Sequence, residues 1–249
     1  MTTTVGKLIG VSLGPGNPQW LTRAAWSLLS EARCWAWPVA KVGGESYARA
    51  ILERAGLAPP PRTLVLHFPM IRDRRLLEAH WRTAAEASLA ILREGIDLPF
   101  LVEGDASFYA TFRHLERAIR ELDPTIRSEV IPGVASPLAA AALSGRALCD
   151  GEESLAIVPA TIGLERLERL LTDFEIVVLM KVRPMLAEVI TLLERRGLSH
   201  KAIFVERAGT PEERVVTDLG QLKDQEVHYL SLLIVHSHDG EAALGMRGT

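Results

Sequence analysis

The chain has no long apolar run, no surplus of either charge and almost no cysteine, and each shortage removes a class of function. No stretch approaches the roughly 18 consecutive apolar residues of a membrane span. Met1-Thr2-Thr3-Thr4 lacks the basic-then-apolar order of a secretion signal. These absences read as a soluble, cytoplasmic protein without a membrane partner. Charged residues make up 24% of the chain and nearly cancel, leaving a net charge of -3. A run of phosphates would need a basic excess, so nucleic acid is not an expected partner. Cys34 and Cys149 stand apart with no CxxC spacing, which reads as two buried free thiols and not as a disulfide or metal site.

What the chain does have is apolar content arranged in two periods. At 249 residues and 48% hydrophobic it can bury one large core or two of about 120 residues each. Short runs rich in Val, Ile and Leu alternate with amphipathic stretches, the pattern of an α/β protein. The expected strands are Lys7 to Gly14, Cys34 to Ala40, Thr63 to Pro69, Pro99 to Gly104, Ser128 to Pro132, Leu155 to Pro159, Ile176 to Lys181, Ala202 to Arg207 and Tyr229 to Val235. Several are apolar throughout, as strands covered on both faces should be. A helix is expected over Arg74 to Glu94, with Leu77, Trp81, Ala84, Ala85, Ser88, Ile91 and Leu92 on its inner face, and Gly95 ends it. A second covers Arg183 to Arg196, with Met185, Leu186, Val189, Ile190 and Leu193 inward. Pro124 disfavours helix in the residue before it, so the charged helix reaching Leu122-Asp123 ends there. The domain boundary is placed at that point, giving 1–124 and 125–249. Segments Glu213 to Leu219 and Val227 to Val235 flank a polar turn, so the second half is expected to add antiparallel pairing. The tail Asp239 to Thr249 is Gly-rich and polar and is read as loosely held.

The first strand runs into Gly14-Pro15-Gly16-Asn17-Pro18, then Leu21-Thr22 and a helix. Glycine there lets a ligand approach the backbone, and helix N-terminal amides attract anions. An NTPase loop would need Gly-Lys-Ser/Thr after the turn, which is absent, and a dinucleotide fingerprint would need a third glycine where Gln19 stands. Two further strand-turn-helix passages follow, through Glu103-Gly104-Asp105-Ala106-Ser107-Phe108-Tyr109 and through Pro132-Gly133-Val134-Ala135-Ser136. Asp105 is expected to cap a helix beginning near Ser107. Three such turns at one end of parallel strands point to a shared crevice.

Taken in order, Gly14-Pro15-Gly16-x-Pro18-x-x-Leu21-Thr22, Glu103-Gly104-Asp105-x-x-x-Tyr109, Pro132-Gly133-Val134-x-Ser136 and Glu206-Arg207 with Glu213-Arg214-Val215 resemble the tetrapyrrole methylases that use S-adenosylmethionine. The resemblance runs from Lys7 to about Val235. Trp37-Pro38-Val39-Ala40-Lys41, Phe68-Pro69-Met70-x-Arg72-Asp73 and Phe108-Tyr109-x-Thr111-Phe112 are most similar to the members that methylate C20 of precorrin-2 or cobalt-precorrin-2 in cobalamin biosynthesis. Two departures stand out. Ala106 replaces a proline common in relatives, which is expected to soften the turn, and Ala135 replaces a serine or threonine, removing a hydroxyl contact.

The resemblance implies two α/β domains with a cleft between them, the tetrapyrrole methylase fold, and a homodimer. It implies S-adenosyl-L-methionine bound by Pro15, Glu103, Gly104, Asp105, Tyr109, Ala135, Ser136, Met180, Arg207 and Ala208. Gly14, Gly16, Lys41, Met70 and Arg72 would face the tetrapyrrole, whose carboxylates suit Lys41 and Arg72, with Arg23 and Arg74 nearby. Glu103, Asp105 and Tyr109 are candidates to take the proton that must leave C20, and no catalytic residue is singled out. A different tetrapyrrole methylase, such as one acting on uroporphyrinogen III, and a noncatalytic tetrapyrrole carrier stay open at this point. His236 and His238, two apart at a strand end, read as exposed histidines and not as a metal site.

Overall fold

Strict alternation in the first strand sends neighbouring side chains into two different cores. The structure, a computed structural model, describes residues 5–71, 73–223 and 225–238. Its first unit contains β1 (Leu8–Ser12), α1 (Arg23–Glu31), β2 (Cys34–Val39), α2 (Tyr47–Ala55), β3 (Arg62–His67), α3 (Arg74–Arg93), β4 (Leu98–Val102), α4 (Phe112–Leu122) and β5 (Ser128–Ile131). Ile9, Val11, Trp35, Trp37 and Leu101 pack with Ala25 and Leu29 of α1 and Ala48, Ile51 and Leu52 of α2. Leu8, Ala36, Leu98 and Phe100 pack instead with Ala84, Ala85, Leu89 and Leu92 of α3 and Phe112, Leu115 and Ile119 of α4. The strands lie in the order β3-β2-β4-β1-β5 and every pairing is parallel. This is an open parallel sheet with helices on both faces, which is why its strands are apolar throughout.

The second unit contains α5 (Ser136–Ser144), β6 (Leu155–Pro159), α6 (Leu164–Asp173), β7 (Ile176–Met180), α7 (Leu186–Arg195), β8 (Ala202–Glu206), β9 (Arg214–Val216) and β10 (Ser231–His236). Its sheet runs β6-β7-β10-β8-β9; β6 and β7 are parallel, and β10 is antiparallel to both its neighbours. The expected antiparallel pairing is present, and β9 adds to it against β8. One face is covered by Leu167 and Leu171 of α6 and by Leu186, Val189, Ile190 and Leu193 of α7.

Four expectations change. The chain divides between Ala135 and Ser136, beyond Pro124, because β5 pairs in register with β1 and so belongs to the first sheet. Cys34 is buried, but Cys149 is exposed in the loop after α5. His236 is buried at 7% exposure, because it ends β10, the middle strand of its sheet; His238 is exposed. The helix expected near Ser107 begins at Phe112. The tail from Asp239 lies outside the described residues. None of the described helices is long and apolar enough to cross a membrane.

Gly10 in the middle of β1 makes room for a ring. A Cβ there would stand 2.9 Å from Phe112, which is fully buried at the start of α4. Gly10→Ala is expected to lower the urea midpoint by the equivalent of about 1–3 kcal/mol, the usual cost of overpacking, with an unchanged denaturant slope.

Candidate functional site

Adjacent strands β1 and β4 send their connections to opposite faces of the first sheet: β1 leads to α1 on one side and β4 leads to α4 on the other. In open α/β sheets such a switch point leaves a crevice at the carboxyl ends of the strands, where ligands bind. Here the two glycine turns meet across it. Gly104 N donates to Gly14 O at 2.8 Å and Gly14 N donates to Gly104 O at 3.1 Å, forming a single antiparallel bridge beyond the parallel ladder. Both glycines have φ of +73°, a left-handed backbone that favours residues without a Cβ.

The third turn is tied to the other two through one carboxylate. Asp105 Oδ2 accepts from Gly133 N at 2.8 Å, and Oδ1 accepts from Ser107 N at 2.8 Å and from the Ser107 hydroxyl at 2.5 Å. Burial alone would raise the Asp105 pKa, but hydrogen bonds from Ser107, Gly133 and Ser12 outweigh it and hold the carboxyl below its ordinary value. Ser12, fully buried at the end of β1, accepts from Ala106 N through Oγ at 2.9 Å. Gly133 is required for this approach, since a Cβ on it would come within 2.6 Å of Ser12 Cβ. The turns after β1, β4 and β5 therefore form one hydrogen-bonded surface, as their common position at the strand ends led us to expect.

Ala106 does not soften this turn. Its amide makes the bond to Ser12 that a proline, lacking N–H, would leave unmade. Pro15 and Gly16 are buried, and Gly16 O accepts from Arg54 Nη2 of α2 at 2.7 Å. Gly104 differs from its surroundings: a Cβ there would meet nothing within 4 Å, so the backbone at the crest of the turn is open to an approaching group. Lys41 is exposed beyond β2. Met70, beyond β3, is 67% exposed. Both stand at the same carboxyl edge as the glycine turns, displaced toward β3. Arg72 lies outside the described residues. Arg74 is engaged with Glu78 at 2.9 Å on the solvent side of α3, and Arg23 opens α1.

In the second unit, Met180 ends β7 opposite Leu232 of β10, and Leu232 pairs in turn with Val205 of β8. Met180, Arg207 and Ala208 are thus brought to one edge of that sheet. Ser136 opens α5, and Ala135 closes the first unit. The loop carrying Arg207 and Ala208 is built by the Glu-Arg pattern on either side of it. Glu206, 8% exposed, receives Arg214 Nε at 3.0 Å and Nη2 at 2.9 Å on one oxygen and the His228 amide on the other. Glu213 Oε2 accepts from Gly209 N at 2.6 Å, closing the turn. Tyr109, Lys181 and Arg207 have φ near +50° without being glycine. All three follow β4, β7 or β8, and such strain collects at functional sites.

Residues 7–223 match the tetrapyrrole (corrin/porphyrin) methylases. The chain belongs to this family. It is 34% identical over 240 residues to a precorrin-2 C(20)-methyltransferase from Sinorhizobium sp, covering 93% of this chain and 95% of that one. It is 30% identical to the cobalt-precorrin-2 C(20)-methyltransferase of Salmonella typhimurium, covering 93% and 96%. Among solved structures, the uroporphyrin-III C-methyl transferase of Thermus thermophilus complexed with S-adenosylhomocysteine has a TM-score of 0.62 at 23% identity, covering 92% of this chain and 97% of that one.

In this tetrapyrrole methylase, sequence reasoning missed Ser12 and Arg54. Ser12 is one polar residue in an apolar strand, and a buried hydroxyl at a strand end before a glycine turn was the signal available. Arg54 carried none, because only folding brings α2 against Gly16. Asp105, expected to contact the donor, has its carboxylate engaged by donors of the chain itself.

Asp105→Asn replaces an acceptor oxygen by an amide and breaks one side of this tie. The expected cost is about 1–3 kcal/mol, the range for leaving a buried partner unmade, read as a lower melting temperature at pH 7. A depressed carboxyl contributes stability above its unfolded pKa and loses it as pH falls through its folded pKa. The gap between wild type and Asp105→Asn should therefore close below about pH 3.8, the ordinary value. Ala106→Pro should destabilise by a similar amount, because Ser12 Oγ loses its amide donor.

Proposed function

We propose that this chain transfers a methyl group from S-adenosyl-L-methionine to C20 of precorrin-2 or cobalt-precorrin-2 in cobalamin biosynthesis. The observation that carries this reading is the likeness to the Sinorhizobium C(20) enzyme, which runs over 93% of this chain and 95% of that one. The Salmonella relative, named for the cobalt-containing substrate, supports the same ring position. A carrier without donor binding has no feature in its favour.

The crest of the Glu103-Gly104-Asp105 turn fits the donor. Gly104 presents backbone with open space where a Cβ would stand, and the turn is tied by hydrogen bonds to Gly14 and Gly133. The proposed donor contacts are Pro15, the backbone of Glu103, Gly104 and Asp105, and Tyr109, Ala135, Ser136, Met180, Arg207 and Ala208. Met180 offers a polarisable apolar surface suited to adenine. Arg207 has a buried Nε with no partner among the described residues, a polar atom that calls for one. The proposed tetrapyrrole contacts are Gly14, Gly16, Lys41, Met70 and Arg72, the two cations matching substrate carboxylates.

When bound, the donor supplies an electrophilic methyl on a sulfonium. The meso carbon is already nucleophilic through conjugation with the ring nitrogens, so the protein's main task is alignment. Well-oriented groups reach effective molarities of about 10⁵ to 10⁸ M. The rigid turns provide that alignment in the first unit, and a preformed surface does not have to be ordered at each turnover. The reading includes a homodimer in the cytoplasm. Exposed Val65 on edge strand β3, with Leu76 exposed nearby in sequence, gives the first unit apolar surface for a second copy.

Purified protein incubated with labelled S-adenosylmethionine should transfer one methyl to precorrin-2 or its cobalt complex and none to uroporphyrinogen III. Transfer to uroporphyrinogen III alone would sink the C20 assignment. Replacing Lys41 and Arg72 together by glutamine should raise KM for the tetrapyrrole about tenfold or more and flatten its dependence on salt, leaving donor affinity in place.

A further inference from the structure

Two carboxylates stand two residues apart in the turn after β4, and the structure treats them in opposite ways. Asp105 accepts from two amides and from the Ser107 and Ser12 hydroxyls. Glu103, next to the bridged Gly104, makes no side-chain hydrogen bond or ion pair with another of the described residues. It is partly buried. A withdrawn carboxylate with no structural partner is costly to keep. Its position is the carboxyl end of β4, at the strand-order switch where the fold binds ligands.

We propose that Glu103 is the group that accepts the proton leaving the methylated ring carbon. This rests on the methyl-transfer reading above and assigns a role within that site. As the new carbon–carbon bond forms, the carbon–sulfur bond breaks and its electron pair remains on sulfur. The methylated carbon still holds its hydrogen. That C–H bond then breaks, its electron pair returns to the conjugated macrocycle, and the proton passes to the Glu103 carboxylate and from there to water. The net products are methylated tetrapyrrole, S-adenosylhomocysteine and one proton. Asp105 is unsuited to this step because protonating it would cost the bonds that hold three turns together.

Burial pushes the Glu103 carboxyl above the ordinary carboxylate range. This makes it a better base near neutral pH than a solvated glutamate. The sign for stability follows. A carboxyl whose folded pKa is raised costs stability as pH rises through that pKa, so a neutral amide in its place relieves that cost on the alkaline side.

The test compares wild type with Glu103→Gln and Glu103→Asp. In Glu103→Gln we expect S-adenosylhomocysteine affinity by calorimetry within about threefold of wild type and a melting temperature at pH 8 at or above it. Its kcat should fall by about 10²- to 10⁴-fold, the range for a lost general base, and the acid limb of the pH–kcat profile should disappear. Glu103→Asp should recover part of kcat and retain the limb. Methyl transfer by Glu103→Gln within threefold of wild type, with an unchanged pH profile, overturns the proposal. So does loss of S-adenosylhomocysteine binding in that variant, which would make Glu103 a donor ligand. If both variants melt below wild type and lose activity together, Glu103 is structural and the proposal fails. Failure of the wild-type protein itself to methylate precorrin-2 or its cobalt complex would remove the functional assignment first, and this role with it.

Discussion

A fully buried hydroxyl, Ser12 Oγ, and a carboxylate, Asp105, hold together turns that are far apart in the sequence. Ser12 ends β1, Asp105 follows β4 and Gly133 follows β5. Backbone amides at the ends of strands have lost their ladder partners and must find others. In this chain they find Ser12 and Asp105, and the glycine turns supply the rest through the Gly14–Gly104 bridge. The outcome is a surface of fixed backbone at the strand-order switch.

The second unit solves a similar problem with charge. Glu206 is buried, and its two oxygens divide between the Arg214 guanidinium and a backbone amide. Breaking such a pair on one side leaves an uncompensated charge, which gives the loop between them a single arrangement. Arg207 follows directly, in a left-handed conformation that the loop imposes. Tyr109 and Lys181 hold similar conformations beyond β4 and β7. The packed sheets beneath absorb that strain, and it stays where side chains must be aimed.

Within one turn, a pair of acids shows how environment separates roles. Asp105 is drawn down by its donors and Glu103 is pushed up by enclosure. Chemically similar carboxyls become a tie and an uncommitted acid, separated by one glycine. The departure at Ala106 belongs to the same arrangement, because its amide completes the coordination of Ser12.

Much of the fold could be read from periodicity alone. Continuous apolar runs such as Leu98–Val102 and Ile176–Met180 must be covered on both faces, and helical stripes such as Ala84, Ala85, Ser88 and Leu92 must cover them. The glycine turns and their order along the chain were equally plain, because glycine and proline act on the backbone locally. Strand partners were not local. The place of β5 beside β1 moved the division of the chain past Pro124, and the central place of β10 buried His236. Composition and local pattern thus determined the layers, the turns and the resemblance. Only the tertiary structure decided which carboxylate is spent on the chain's own amides and which is left free, because hydrogen-bond partners across 28 and 94 residues are set by sheet order, not by neighbours in sequence.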